Sequence, residues 1–418
     1  MAPLHLVLSG SGQQKKSTRL VYTVALMAFF WTIFDLIISF IAPILITERG
    51  FSNSQMGMII AFSSISGAFF DFILARLLRS TNYLKTFFLV LVISFILPFV
   101  LWTSHHIFVY LLAMAIWGLY YDLYTFASYD FVSRNALTEG QHARDFGIIE
   151  LFRSLGGLVA PIITTILIVD KVYFGHMMWP LLFLIIAFGF YLLLLSFSPL
   201  HHFHSSDHRH KSVSILTEVF RWNALGKKLL PVLAFMISIY IFDATFWTVG
   251  PLFSESFPDF KHFSGFLMIL YSLPSMLTAW KIEPLTRRFG KKKTAYITFL
   301  LANILLIPIG FLSSPILVLF FVFLSSVATS ITWPSIEAAF ADYTSEAGKL
   351  QTEVEGITDL TSNIGYIIGP IFAGFFSEKI SISWSFGALG FINVFIIILL
   401  LLVTPKQIKI ASLANKFT

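Results

Sequence analysis

The 418-residue chain contains no cysteine. That absence excludes disulfides and thiolate-ligated metal sites, and it leaves the redox compartment unread. Charge is scarce too: 12% of residues are Asp, Glu, Lys or Arg against 57% hydrophobic, and the mean hydropathy is +0.82. Such a balance excludes a water-soluble globule. No Gly-Lys-Ser/Thr phosphate loop, His-Glu-x-x-His or Gly-x-Ser-x-Gly occurs, so ATP-driven work and the common hydrolase mechanisms lack their machinery. The long apolar stretches do not alternate with period two, which excludes a membrane β-barrel.

What remains is a set of apolar runs of about the 20 residues a bilayer-crossing helix needs. Twelve are present, at roughly 20–47, 54–78, 83–104, 107–130, 147–169, 176–198, 229–254, 263–283, 294–313, 315–341, 355–376 and 384–404. Lipid offers no hydrogen bonds, so runs this continuous must be helices. The expected class is an all-α membrane protein of 12 transmembrane helices in two pseudo-symmetric six-helix bundles. The layout reads as an N-terminal segment 1–19, a first bundle 20–198, a linker 199–228, a second bundle 229–404 and a tail 405–418. The apolar run after residue 19 is too long for a cleaved signal peptide and reads as the first membrane helix.

Charge sets the expected orientation. With both termini inside, 24 of the 28 basic residues fall on the cytoplasmic side, leaving Arg49, Lys171, Lys261 and Lys379 outside. This obeys the positive-inside rule and predicts a multi-pass protein of the cell membrane. The net charge of +6 follows from topology and is no sign of nucleic-acid binding. The linker carries His201, His202, His204, His208 and His210 with Asp207. Their spacing matches no fixed ligand frame, so a solvated linker is preferred over a zinc site. Beyond it, Val213, Leu216, Val219 and Phe220 recur at helical spacing beside Glu218 and Arg221, which predicts a short amphipathic helix on the membrane surface.

The two halves echo one another. Phe34-Asp35 and Phe242-Asp243 lie 208 positions apart, as do Pro43 and Pro251, and Gly57 and Gly265; Gly156, Ala160 and Pro161 match Gly365, Gly369 and Pro370 at an offset of 209. A carboxylate in mid-membrane costs about 2.5–3.5 kcal/mol on insertion scales, so an intramembrane acid is a functional candidate by default.

Six helices, a linker, six helices and this echo resemble the major facilitator superfamily over essentially the whole chain. The superfamily's motif after the second helix is matched by Gly67 and Asp71 with Arg76 and Arg79 nearby, although Phe72-Ile73-Leu74 interrupts it. Its counterpart in the second half keeps the basic end, Arg288-Phe289-Gly290-Lys291-Lys292-Lys293, without the acid. Gly365-x-x-x-Gly369-Pro370 in the eleventh run, and Gly156-x-x-x-Ala160-Pro161 in the fifth, resemble the antiporter motif. Small residues four apart let helices approach closely, and the proline bends them; plain packing and a role in gating are both open for these glycines.

The resemblance implies alternating access around a midplane site lined by the first and seventh helices, hence facing Asp35 and Asp243. Asp122 and Glu337 are further candidates for substrate or proton coupling. Trp117, Tyr120, Tyr121, Trp247 and Trp333 are candidate cavity aromatics. A cavity with acids and no mid-helix Lys or Arg favours cationic or neutral ligands; alternatively the acids carry protons, or simply bond neighbouring helices. Asp71, Asp130, Arg134, Glu150, Arg153 and Asp342 read as gate elements at cytoplasmic helix ends, with Glu150 and Arg153 spaced to pair, and Asp130 and Asp342 better explained as surface salt bridges. The expectation is a monomeric secondary transporter of a small molecule, driven by a proton or ion gradient with no cofactor, exporting amphipathic or cationic compounds. Uptake of a sugar-like or other small nutrient is the alternative. A lipid-modifying membrane enzyme would need more than His105-His106, and a transport-inactive receptor would need an added soluble domain.

Overall fold

The computed structural model describes residues 4–77, 82–136, 139–167, 171–197, 215–253, 257, 265–405, 408 and 410. Within these, the backbone alone is described for residues 4–16, 71–77, 139–140, 143, 167, 215–219, 279–280, 349 and 352. All regular structure among the described residues is helical. In chain order the α-helices are α1 (Leu4–Glu48), α2 (Asn53–Leu77), α3 (Tyr83–Thr103), α4 (Ile107–Asn135), α5 (Glu139–Leu167), α6 (Phe174–Met178), α7 (Pro180–Phe197), α8 (Ile215–Val249), α9 (Phe266–Ser272), α10 (Pro274–Phe289), α11 (Lys291–Leu306), α12 (Pro315–Ala347), α13 (Gln351–Lys379) and α14 (Ile382–Val403). Ten spans among the described residues are long and apolar enough to cross a membrane. With α2 and the α9–α10 pair they fill the twelve expected positions.

Two of those positions hold a broken helix. The breaks fall at Trp179 and Leu273, each just before a proline, Pro180 and Pro274. Proline has no N–H to donate and crowds the residue before it. Trp179 and Leu273 nevertheless keep helical dihedrals, so the path continues with little change of direction. Other ends are set by caps: Asn82 accepts from the Leu84 N–H at 3.0 Å, and Ser381 from the Trp384 N–H at 3.2 Å. Gly290, with φ +86°, makes the turn between α10 and α11, a conformation that a Cβ would strain.

The chain divides into two compact units. The first comprises residues 1–45 and 65–206, the second residues 46–64 and 207–418; α2 is thus shared between them. In the first, α3 packs against α4 and α7. Trp31 of α1 stacks on Tyr124 of α4 at 4.1 Å and donates to the Ser94 hydroxyl of α3 at 3.1 Å. In the second, α13 lies along α8, and α11 packs against α12 and α14, tied by a buried Asn393-to-Asn303 hydrogen bond of 3.0 Å.

The start of α2 docks on α13 within the second unit. Asn53 donates to the Ser377 hydroxyl at 2.7 Å, and the Ser54 N–H to the Glu378 carboxylate at 2.9 Å. Gly57 lies against the Pro370 carbonyl, and Gly374 against the Asn53 carbonyl. A methyl group at either glycine would collide with backbone.

α1 and α8 are the most enclosed membrane helices, with 72% and 61% of their apolar windows buried against at most 50% for any other. A helix apolar all round belongs inside, and these two carry Asp35 and Asp243.

Two expectations on element bounds are corrected. The separate surface helix predicted after the linker is instead the start of α8, which runs unbroken from Ile215; Arg221 there pairs with Glu353 of α13 at 2.6 Å. The N-terminal segment is helical from Leu4 and continuous with α1, whose apolar span starts at Ser17. Helix α5 begins at Glu139, eight residues before the predicted 147, because its polar first turns propagate a helix that hydropathy alone does not see. The histidine-rich segment, residues 201–210, and Val213 lie outside the described residues.

Candidate functional site

Each unit holds one acid inside a cage of aromatic donors. In the first, Asp35 is 5% exposed. Its Oδ1 accepts hydrogen bonds from the Trp117 indole at 3.0 Å and the Tyr120 hydroxyl at 2.6 Å. Both donors come from α4, one turn apart. Hydrogen bonds to a charged group are each worth about 1.5–3 kcal/mol, so two of them offset a membrane insertion cost of about 2.5–3.5 kcal/mol. In the second unit, Asp243 accepts from the hydroxyls of Tyr271 on α9 and Tyr366 on α13, the latter at 2.8 Å. Trp247, one turn further along α8, is close enough to be a third donor. Tyr366 also leans on Tyr240, which meets Trp333 edge-on at 5.1 Å.

The motif glycines serve these acid-bearing helices. A Cβ on Gly156 of α5 would lie 2.8 Å from the Phe29 carbonyl and 3.2 Å from Thr32 of α1. Gly365 of α13 sits against Tyr240, and Gly369 against Ala244, both of α8. Thr32 and Tyr240 each precede their acid by three residues, so the same helix contact is built in the same register in both units. Pro161 and Pro370 follow on these packed stretches.

The other sequence candidates divide. Gly67 faces Asp122: a Cβ there would lie 2.8 Å from the carboxylate, so the glycine makes room for the acid. Glu337 is exposed on α12. Asp130 accepts from Arg134 at 2.6 Å and from the Tyr83 N–H at 3.0 Å, which ties the start of α3 to α4; Asp342 pairs with Lys291 at 2.7 Å. Arg288 is exposed and lies over the Phe289 ring. The side chains of Asp71 and Arg76, and all of Arg79, lie outside the described residues.

Arg153 overturns one premise. Expected at a helix end, it is the fifteenth of the 29 residues of α5, inside the apolar span Arg144–Ile166. The predicted pair with Glu150 forms, at 2.9 Å. The guanidinium also lies over the Tyr124 ring at 5.2 Å and donates to the Tyr121 hydroxyl at 3.2 Å. A cation therefore lies within one of the apolar spans after all. Sequence reading also missed Tyr271 and Tyr366; the one available signal was Tyr366 lying next to Gly365.

Comparison with known proteins converges on one fold. The family model "Major Facilitator Superfamily" matches residues 233–416. That match lies in the second half of the chain, 184 of its 418 residues. The ten membrane-length apolar spans among the described residues are those of a multi-pass membrane protein. Similar solved structures include the nucleoside transporter NupG, with a TM-score of 0.75 at 13% identity over 94% of this chain and 100% of that one. A bacterial homologue of the human lysosomal transporter Spinster aligns with TM-score 0.64 at 13% identity, over 96% and 97%. A POT family transporter in complex with a thioalcohol-conjugated peptide gives 0.69 at 15% identity, over 92% and 96%. At these identities the likeness is one of fold. No curated protein matches the sequence.

Proposed function

We propose that the chain is a proton-coupled secondary transporter of a small polar solute, with Asp35 and Asp243 as its proton carriers. The observation that supports this reading is the matched pair of caged acids, one on each of the two most enclosed helices. A ligand shifts a conformational equilibrium only through unequal affinity for the two states. A carboxylate whose donors arrive on other helices, α4 for Asp35, and α9 and α13 for Asp243, supplies that inequality. Proton occupancy changes how tightly those helices are held. On this reading the protein sits in the cell membrane with both termini cytoplasmic, following its basic residues.

Polar uptake is preferred here to export of amphipathic cations. The export reading leaned on an acidic aromatic cavity with no mid-helix Lys or Arg and on the antiporter-like glycines. Arg153, at mid-helix in α5, weighs against the first, and the close packing of α5 on α1 and of α13 on α8 suits a packing role for the glycines.

The test is transport by proteoliposomes under an imposed pH gradient. Asp35→Asn and Asp243→Asn should each abolish gradient-driven accumulation while leaving a folded protein that still exchanges solute. Undiminished accumulation by the double variant would return both acids to a structural role.

A further inference from the structure

Building on that reading, we propose that Arg153, Glu150 and Tyr121 form the subsite that selects the solute, and that it takes an uncharged molecule with neighbouring hydroxyl or amide groups on a flat ring. Three observations carry this. Arg153 and Glu150 both lie within the apolar span Arg144–Ile166, yet the Glu150 side chain is 46% exposed. A carboxylate exposed to hydrocarbon is costly and is usually found facing a water-filled cavity, so we assign that face of α5 to a wet path such as a polar solute needs. The guanidinium is incompletely used: Nη1 is on Glu150 and Nη2 on Tyr121, while the buried Nε finds no partner among the described residues. A buried donor left unmade is costly, and it is the group an incoming acceptor satisfies. Tyr121, 42% exposed, offers its ring beside the fork as a stacking surface.

The charge pattern selects among ligands. Arg153 and Glu150 neutralise one another, so the subsite offers donors and an acceptor with no net charge. A cationic group would have to compete with the guanidinium for Glu150, and an anionic one with Glu150 for the guanidinium. An uncharged solute can accept from Nε and donate to the outer oxygen of Glu150 without breaking the pair. The guanidinium is fixed in turn by Tyr124, which stacks on Trp31. Trp31 meets Tyr120 edge-on, and Tyr120 holds Asp35. The solute subsite and the proton carrier thus share one aromatic wall.

Equilibrium binding without a gradient tests this separately from proton coupling. Full-length protein in lipid nanodiscs would be titrated with uridine and xylose as uncharged probes, uridine 5′-monophosphate as the anion and tetraphenylphosphonium as the cation. At least one uncharged probe should bind more tightly than either ion, and Arg153→Lys, which keeps the charge but loses the fork, should weaken it at least tenfold. Tyr121→Phe, altering an exposed side chain, should weaken it several-fold and serves should the lysine variant misfold. Tighter binding of either ion, failure of both uncharged probes, or wild-type affinity in both variants would overturn the proposal. Any of these would leave the coupling role of the acids standing, since no gradient enters the measurement.

Discussion

Tyr120 is wholly buried, and its hydroxyl donates to Asp35 at 2.6 Å. If the carboxylate is ionised for part of the cycle, removing that donor is felt as the loss of a charge-assisted bond. Tyr120→Phe should therefore lower unfolding stability by about 1.5–3 kcal/mol. In the Asp35→Asn background the same change should cost about 0.5–1.5 kcal/mol, since only a neutral bond is then lost. A double-mutant cycle read by thermal unfolding in detergent checks this, and equal costs in both backgrounds would mean that the acid stays protonated. The acids themselves were legible in the sequence because carboxylates are rare in apolar runs. Tyr271 and Tyr366 were not, because 17% of the chain is aromatic and one tyrosine looks like another until helices are packed. Arg153 was visible but misplaced: hydropathy starts the fifth helix too late and so puts its midpoint near its end.

Among elements, the contacts of α5 on α1 and of α13 on α8 rest on missing side chains. Overpacking a close contact costs about 1–3 kcal/mol. Gly365→Val, which drives into Tyr240 and the Ile237 carbonyl, should fall in that range or beyond; Gly147→Ala, with nothing within 4 Å, should not destabilise. Thermal unfolding of the two variants side by side decides the matter, and equal stabilities would show that the contact is not close. The small-residue spacing announced close packing in advance, without saying against what. That depends on which turn of the partner helix arrives opposite, and no sequence period encodes it. Element ends were read less well than element existence, because polar turns that extend α5 and α8 look like loop to a hydropathy count.

For the whole molecule, the proposed orientation predicts opposite signals from reporter fusions at residues 205 and 260, since the basic residues weigh 24 to 4 between the sides. Matching signals would reject it. The docking of Asn53 on Ser377 bears on the making of the protein as well as on its finished form. The partners are 324 residues apart; at about 5–20 residues per second of synthesis, roughly 15–65 s separate their emergence from the ribosome. Through that interval the glycine-notched start of α2 is already inserted while α13 does not yet exist. The second unit is thus completed by one of the oldest segments of the nascent chain, and its biogenesis cannot finish until α13 has been delivered to a partner, α2, made long before it.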